Sequence, residues 1–119
     1  MKRIVSSVAA LAVAGATVFA VAAYAGPQRS SVATVKVTIK NFHFTLAKKS
    51  ARHGKVKFVV TNKDSIKHDF KIAGKKTPLL GKNGTKSFTV TLKKGKKYTY
   101  ICTVPGHAAA GMKGTFKAT

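Results

Sequence analysis

Beyond residue 31 the chain alternates apolar and polar residues with a period of two, the pattern of strands that bury one face. Val35, Val37 and Ile39 alternate with Lys36, Thr38 and Lys40. Phe42 and Phe44 continue the series after a one-residue phase slip at Asn41, which reads as a β-bulge. Residues 48–54 are polar and carry a turn. Val56, Phe58 and Val60 form the next buried series, followed by a turn cluster at residues 62–65. His68, Phe70 and Ile72 then share one face of a further strand. Residues 73–85 hold three glycines and a proline and read mostly as loop. Phe88, Val90 and Leu92 alternate with Thr89 and Thr91, and a tight turn at residues 93–96 leads to Tyr98, Tyr100 and Cys102 on one face. A last strand runs from about Lys113 to Ala118. No segment has a helical period and none repeats. Seven short strands at near-regular spacing predict an all-β fold, a Greek-key β-sandwich of about seven or eight strands.

The first 25 residues belong to a different class of segment. Lys2 and Arg3 precede an uncharged run rich in Ala and Val, and Ala23-Tyr24-Ala25 places small residues at both positions of an A-x-A cleavage site. This layout predicts a secretory signal peptide over residues 1–25, a linker over 26–31 and one domain over 32–119. If it were retained, the run is long enough to serve as a membrane anchor on the outer face. Either outcome places the domain outside the cytoplasm, periplasmic or secreted.

Charge narrows the range of partners. The chain carries 23 Lys+Arg against 2 Asp+Glu, and without Lys2 and Arg3 the net charge is about +19. A field of that sign favours an acidic protein partner, and an anionic envelope surface is a second possibility. The same lysines also keep a small β protein soluble and blunt its strand edges. No RNP, zinc-finger or helix-turn-helix pattern accompanies them, so specific nucleic-acid binding is not expected. The expected state is a monomer. With Asp64 and Asp69 as the only side-chain carboxylates, paired-carboxylate hydrolysis and calcium binding are poor fits. A single cysteine excludes an internal disulfide and any all-cysteine metal site.

Chemistry-bearing residues gather near the C-terminus. Cys102, His107 and Met112 stand at spacing Cys-x4-His-x4-Met, in a loop that starts where a strand ends. His68 faces inward by its phase with Phe70 and Ile72. Two imidazoles, a thiolate and a distant thioether are the donor set of a mononuclear electron-transfer copper site. Taken singly, Cys102 is a buried structural cysteine, His68 an interior histidine and Met112 a core gap-filler. In this order and on these elements, packing alone does not account for them. His43 and His53 read as solvated, and Tyr98 and Tyr100 as core residues.

Residues 32–119 resemble the cupredoxins, type-1 blue copper proteins of the plastocyanin, azurin and auracyanin kind. The resemblance rests on His68 within KHDF, on YTYICTVPGHAAAGMKGTF, and on the strands between them. It implies one copper ion held strongly by His68, Cys102 and His107, with Met112 as the axial ligand. The Cys-to-His spacing is closer to azurin and auracyanin than to plastocyanin. Many relatives have Asn directly after the first ligand histidine, tied to the residue after the cysteine. Here those positions are Asp69 and Thr103, and the Thr103 hydroxyl is suited to donate to Asp69. The resemblance further implies electron exchange through the outer edge of His107, with Val104, Pro105, Ala108, Ala109 and Ala110 forming a small apolar docking patch. The expected function is single-electron transfer between extracytoplasmic partners and not enzymatic turnover. Copper storage or delivery by the same ligands is the alternative, and a cationic surface-binding module a remoter one.

Overall fold

In residues 32–119, the part of the chain that the computed structural model describes, the alternating segments pair into two packed sheets. The predicted leader (1–25) and linker (26–31) lie outside the described residues. Among the described residues there are nine strands and no helix. They are β1 (Ala33–Lys40), β2 (His43–Leu46), β3 (Ser50–Ala51), β4 (Gly54–Asn62), β5 (Lys71–Ile72), β6 (Lys75–Lys76), β7 (Thr85–Leu92), β8 (Lys97–Ile101) and β9 (Lys113–Ala118). One sheet has the order β2-β1-β4-β7 and the other β3-β9-β8-β5-β6. Two pairings are parallel, β1 with β4 and β3 with β9, and the rest antiparallel. The fold is the all-β sandwich that the period-two pattern predicts.

The core lies between the sheets. Val35, Val37 and Ile39 from β1 and Val56, Phe58 and Val60 from β4 face Ile72, Tyr100 and Phe116. Phe58 is fully buried, with its ring 5.2 Å from Phe116 and 5.5 Å from Phe70. Burying a side chain of this size stabilises by roughly 1.5–3 kcal/mol, so the aromatic cluster is a main tie between the two sheets. On the outer faces Lys36, Lys40, Lys55, Lys57, Lys97 and Lys117 are all exposed. The edge strand β6 is the pair Lys75–Lys76, a charged edge of the kind that discourages further pairing.

Two local expectations need correction. The phase slip at Asn41 is not a bulge but a two-residue turn between β1 and β2, which pair with Lys40 opposite His43. Asn41 and Phe42 both take left-handed backbone, with φ of 53° and 59°. That is the hairpin geometry whose twist suits the flanking strands, at about 1–2 kcal/mol per residue for side chains other than Gly. His68, Phe70 and Ile72 do not share a long strand, because β5 covers only Lys71–Ile72. His68, Asp69 and Phe70 are buried in succession, and His68 pairs alone with Leu80. The polar segment 48–54 holds β3, and the segment 73–85 holds β6 and the start of β7. Strands of two residues are too short to show an alternation.

Candidate metal centre

His68, Cys102 and His107 arrive from three different places in the fold. The His68 backbone is held by Leu80, donating to its carbonyl at 3.2 Å and accepting from its N–H at 2.8 Å. Cys102 immediately follows β8 and His107 lies in the loop beyond. That loop is closed at its base. The Cys102 N–H donates to the Met112 carbonyl and the Met112 N–H to the His107 carbonyl, each at 3.1 Å. Gly106, with φ of 85°, and Gly111, with φ of 116°, supply the left-handed positions that let the chain curl back.

The three donor atoms converge. His68 Nδ1 and His107 Nδ1 are 3.0 Å apart, Cys102 Sγ is 3.5 Å from His107 Nδ1, and all three lie within 4.8 Å of one another. His68 and Cys102 are buried, while His107 is half-buried. Met112 is fully buried at the end of the same loop. The ring of Phe42 packs edge-on against both imidazoles, 5.1 Å from His68 and 4.9 Å from His107.

Hydrogen bonds decide which ring atom His68 presents. Its Nε2 lies 2.8 Å from Asp64 Oδ2, and a carboxylate only accepts, so Nε2 carries the hydrogen. In the neutral ring Nδ1 then has a free lone pair aimed at Cys102 and His107. Asp64 also accepts from the Asn41 N–H at 2.6 Å and the Phe42 N–H at 3.1 Å, holding the left-handed turn. Partial burial pushes the Asp64 carboxyl up, but the Phe42, Asn41 and His68 hydrogen bonds outweigh it and its pKa lies below the usual value. Asn62, fully buried, fixes the segment between. Its Nδ2 donates to the carbonyls of Ile66 and Leu80 and its Oδ1 accepts the Asp64 N–H.

On the cysteine side, Asp69 accepts from both the Thr103 N–H (2.7 Å) and the Thr103 hydroxyl (2.5 Å). Burial pushes the Cys102 thiol up; backbone hydrogen bonds from Asp69 and Val104 act against this, and the Asp69 charge adds to it. Metal binding there must displace a proton. Of the residues expected to form a docking patch, Pro105, Ala109 and Ala110 are exposed, whereas Val104 and Ala108 are half-buried, with Val104 packed on the core. His43 and His53 are exposed and are not among the three converging donors, and Tyr100 is buried in the core with Tyr98 half-buried against it. Asp64, Asn62 and Phe42 escaped the sequence reading. The one available signal was that the chain has just two carboxylates.

A cysteine sulfur and two imidazole nitrogens beside an apolar core are soft and borderline donors. They fit a single type-1 copper ion and exclude the oxygen-rich shells of calcium and magnesium. Residues 23–119 match the family described as copper binding proteins, plastocyanin/azurin family. Among solved structures, the chain is similar to reduced auracyanin from Roseiflexus castenholzii (20% identity, 76% of this chain and 99% of that one, TM-score 0.63). It is also similar to auracyanin A, a blue copper protein from Chloroflexus aurantiacus (20% identity, 75% and 100% covered, TM-score 0.60). Rusticyanin from Thiobacillus ferrooxidans shares the fold too (22% identity, 76% and 79% covered, TM-score 0.61). No curated protein matches the chain by sequence.

Proposed function

We propose that this chain, which belongs to the plastocyanin/azurin family of copper-binding proteins, carries single electrons between partner proteins outside the cytoplasm. The observation that carries the reading is the convergence of His68 Nδ1, Cys102 Sγ and His107 Nδ1 in a largely buried pocket. These three side chains would hold the metal, and Met112 would supply a fourth, weaker donor. Bound copper supplies one-electron chemistry, passing between Cu(II) and Cu(I). The protein's part is to keep its donors where both oxidation states accept them. The paired backbone of His68 and Leu80 and the closed base of the ligand loop do this without help from the metal.

Exchange with a partner runs through the outer edge of His107. The exposed Pro105, Ala109 and Ala110 permit close apolar contact around it, and half-buried Val104 and Ala108 support them from below. Exposed lysines steer an acidic partner towards this face. The leader-like residues 1–25 support a location outside the cytoplasm. Three strong donors and the weaker Met112 thioether would leave no position for a substrate, so no turnover is expected.

Stopped-flow electron exchange with an acidic redox protein tests the reading. The rate is expected to fall with ionic strength and to fall again in Ala109→Glu, while the copper spectrum stays unchanged. Rates indifferent to both would contradict the docking face. Rapid surrender of copper to an apo-acceptor, outpacing electron exchange, would favour copper delivery instead.

A further inference from the structure

The chain has two acidic side chains against 23 basic ones, and both are at the metal centre. Asp69 engages Thr103 beside the cysteine, and Asp64 engages His68. Asp64 is the more consequential. It is largely shielded, with 13% of its side chain accessible, and its two oxygens take three hydrogens: His68 Nε2–H and Phe42 N–H on Oδ2, Asn41 N–H on Oδ1. The last two contacts hold a backbone pair whose left-handed conformation suits Phe42 poorly, and the Phe42 ring is what covers both imidazoles.

We propose that Asp64 is the positioning residue of the copper centre, an anion that fixes the His68 ring through Nε2–H, biases the site towards Cu(II), and locks Phe42 over the two histidines. This rests on the copper reading above and extends it to a residue outside the ligand set. A carboxylate on the far nitrogen of a ligating imidazole fixes its tautomer and orientation and makes it a stronger donor, typically worth 10–100-fold in metal affinity. The stronger donor favours the higher oxidation state. The negative charge therefore opposes the lysine field locally. It acts by contact at 2.8 Å, a range at which salt screens little.

Asp64→Asn is the discriminating change. An asparagine can turn its oxygen to His68 and Phe42; its NH2 then faces the Asn41 N–H, donor against donor, and that exposed N–H turns to water, so the bond to His68 is kept while the charge is lost. The copper-loaded variant is expected to shift its Cu(II)/Cu(I) equilibrium about tenfold towards Cu(I), a rise of about 59 mV for one electron. The difference from wild type should persist from 0.1 M to 1 M salt. Asp64→Ala is expected to shift at least as far. In the metal-free protein it should also lose the single Nε2–H tautomer of His68 seen by ring nitrogen NMR. A potential equal to wild type in both variants, or a difference that disappears at 1 M salt, would overturn the assignment to Asp64 while leaving the copper site intact. Wild-type protein that takes up no copper would overturn the copper reading, and this proposal with it.

Discussion

Asn62 offers the sharpest test of how the fold holds the site. It is fully buried, and its amide makes three hydrogen bonds: to the Ile66 carbonyl at 2.9 Å, to the Leu80 carbonyl at 2.6 Å, and from the Asp64 N–H at 2.9 Å. Each bond contributes a net of about 1 kcal/mol. The carbonyls it leaves are not all orphaned, since Leu80 still accepts from the His68 N–H. Asn62→Leu, close in volume, should therefore cost about 3 kcal/mol with no cavity to explain it. A domain of this size has a total stability of roughly 4–13 kcal/mol, so the loss is a large fraction, and Tm should fall by on the order of 12–24 °C. Urea unfolding of the metal-free protein, followed by far-UV circular dichroism, measures it. Asn62→Ala should lose somewhat more, by the added cavity. A loss under 1 kcal/mol in Asn62→Leu would refute the view that these hydrogen bonds carry the 62–68 segment.

Three further outcomes follow from other parts of the molecule. A Cβ on Gly114 would overlap the phenol of buried Tyr100 across β8 and β9, so Gly114→Ala should destabilise by about 1–3 kcal/mol in thermal melts, with partial recovery in Gly114→Ala/Tyr100→Leu. Burial holds the Tyr100 phenol above its ordinary value. The unfolded chain then ionises first, and stability should fall as pH rises past about 10, a fall that Tyr100→Phe should flatten in urea midpoints taken at about pH 9 and 11. The lysine field favours Cu(I), so voltammetry should show the potential dropping as the Debye length shortens from about 10 Å at 0.1 M to about 3 Å at 1 M. A potential that does not drop would contradict that effect.

The alternation of β1, β4, β7, β8 and β9 is legible because each buries one face over five residues or more. The Cys102–His107–Met112 loop is legible because its spacing is local. His68 is different. Its phase with Phe70 and Ile72 points inward, yet no strand holds it, and what buries it is the pairing with Leu80, twelve residues on. The hairpin at Asn41-Phe42 lacks the glycine that usually marks such turns, because Asp64, over twenty residues away, satisfies both of its N–H groups. Asn62 and Asp64 read as ordinary turn residues because only part of their work is local: Asn62 bonds to Asp64 and Ile66 nearby but also to Leu80, and Asp64 to His68 but also to Asn41 and Phe42. Strands β3 and β6 are two residues each, below the length at which a period can be seen.

The most direct measurement is the visible spectrum of the protein after addition of Cu(II), recorded beside Cys102→Ser. An intense thiolate-to-copper absorption is expected, bleached by ascorbate, restored by an oxidant and missing from Cys102→Ser. A colourless wild-type protein, or a band that survives in Cys102→Ser, would contradict a type-1 centre built on His68, Cys102 and His107.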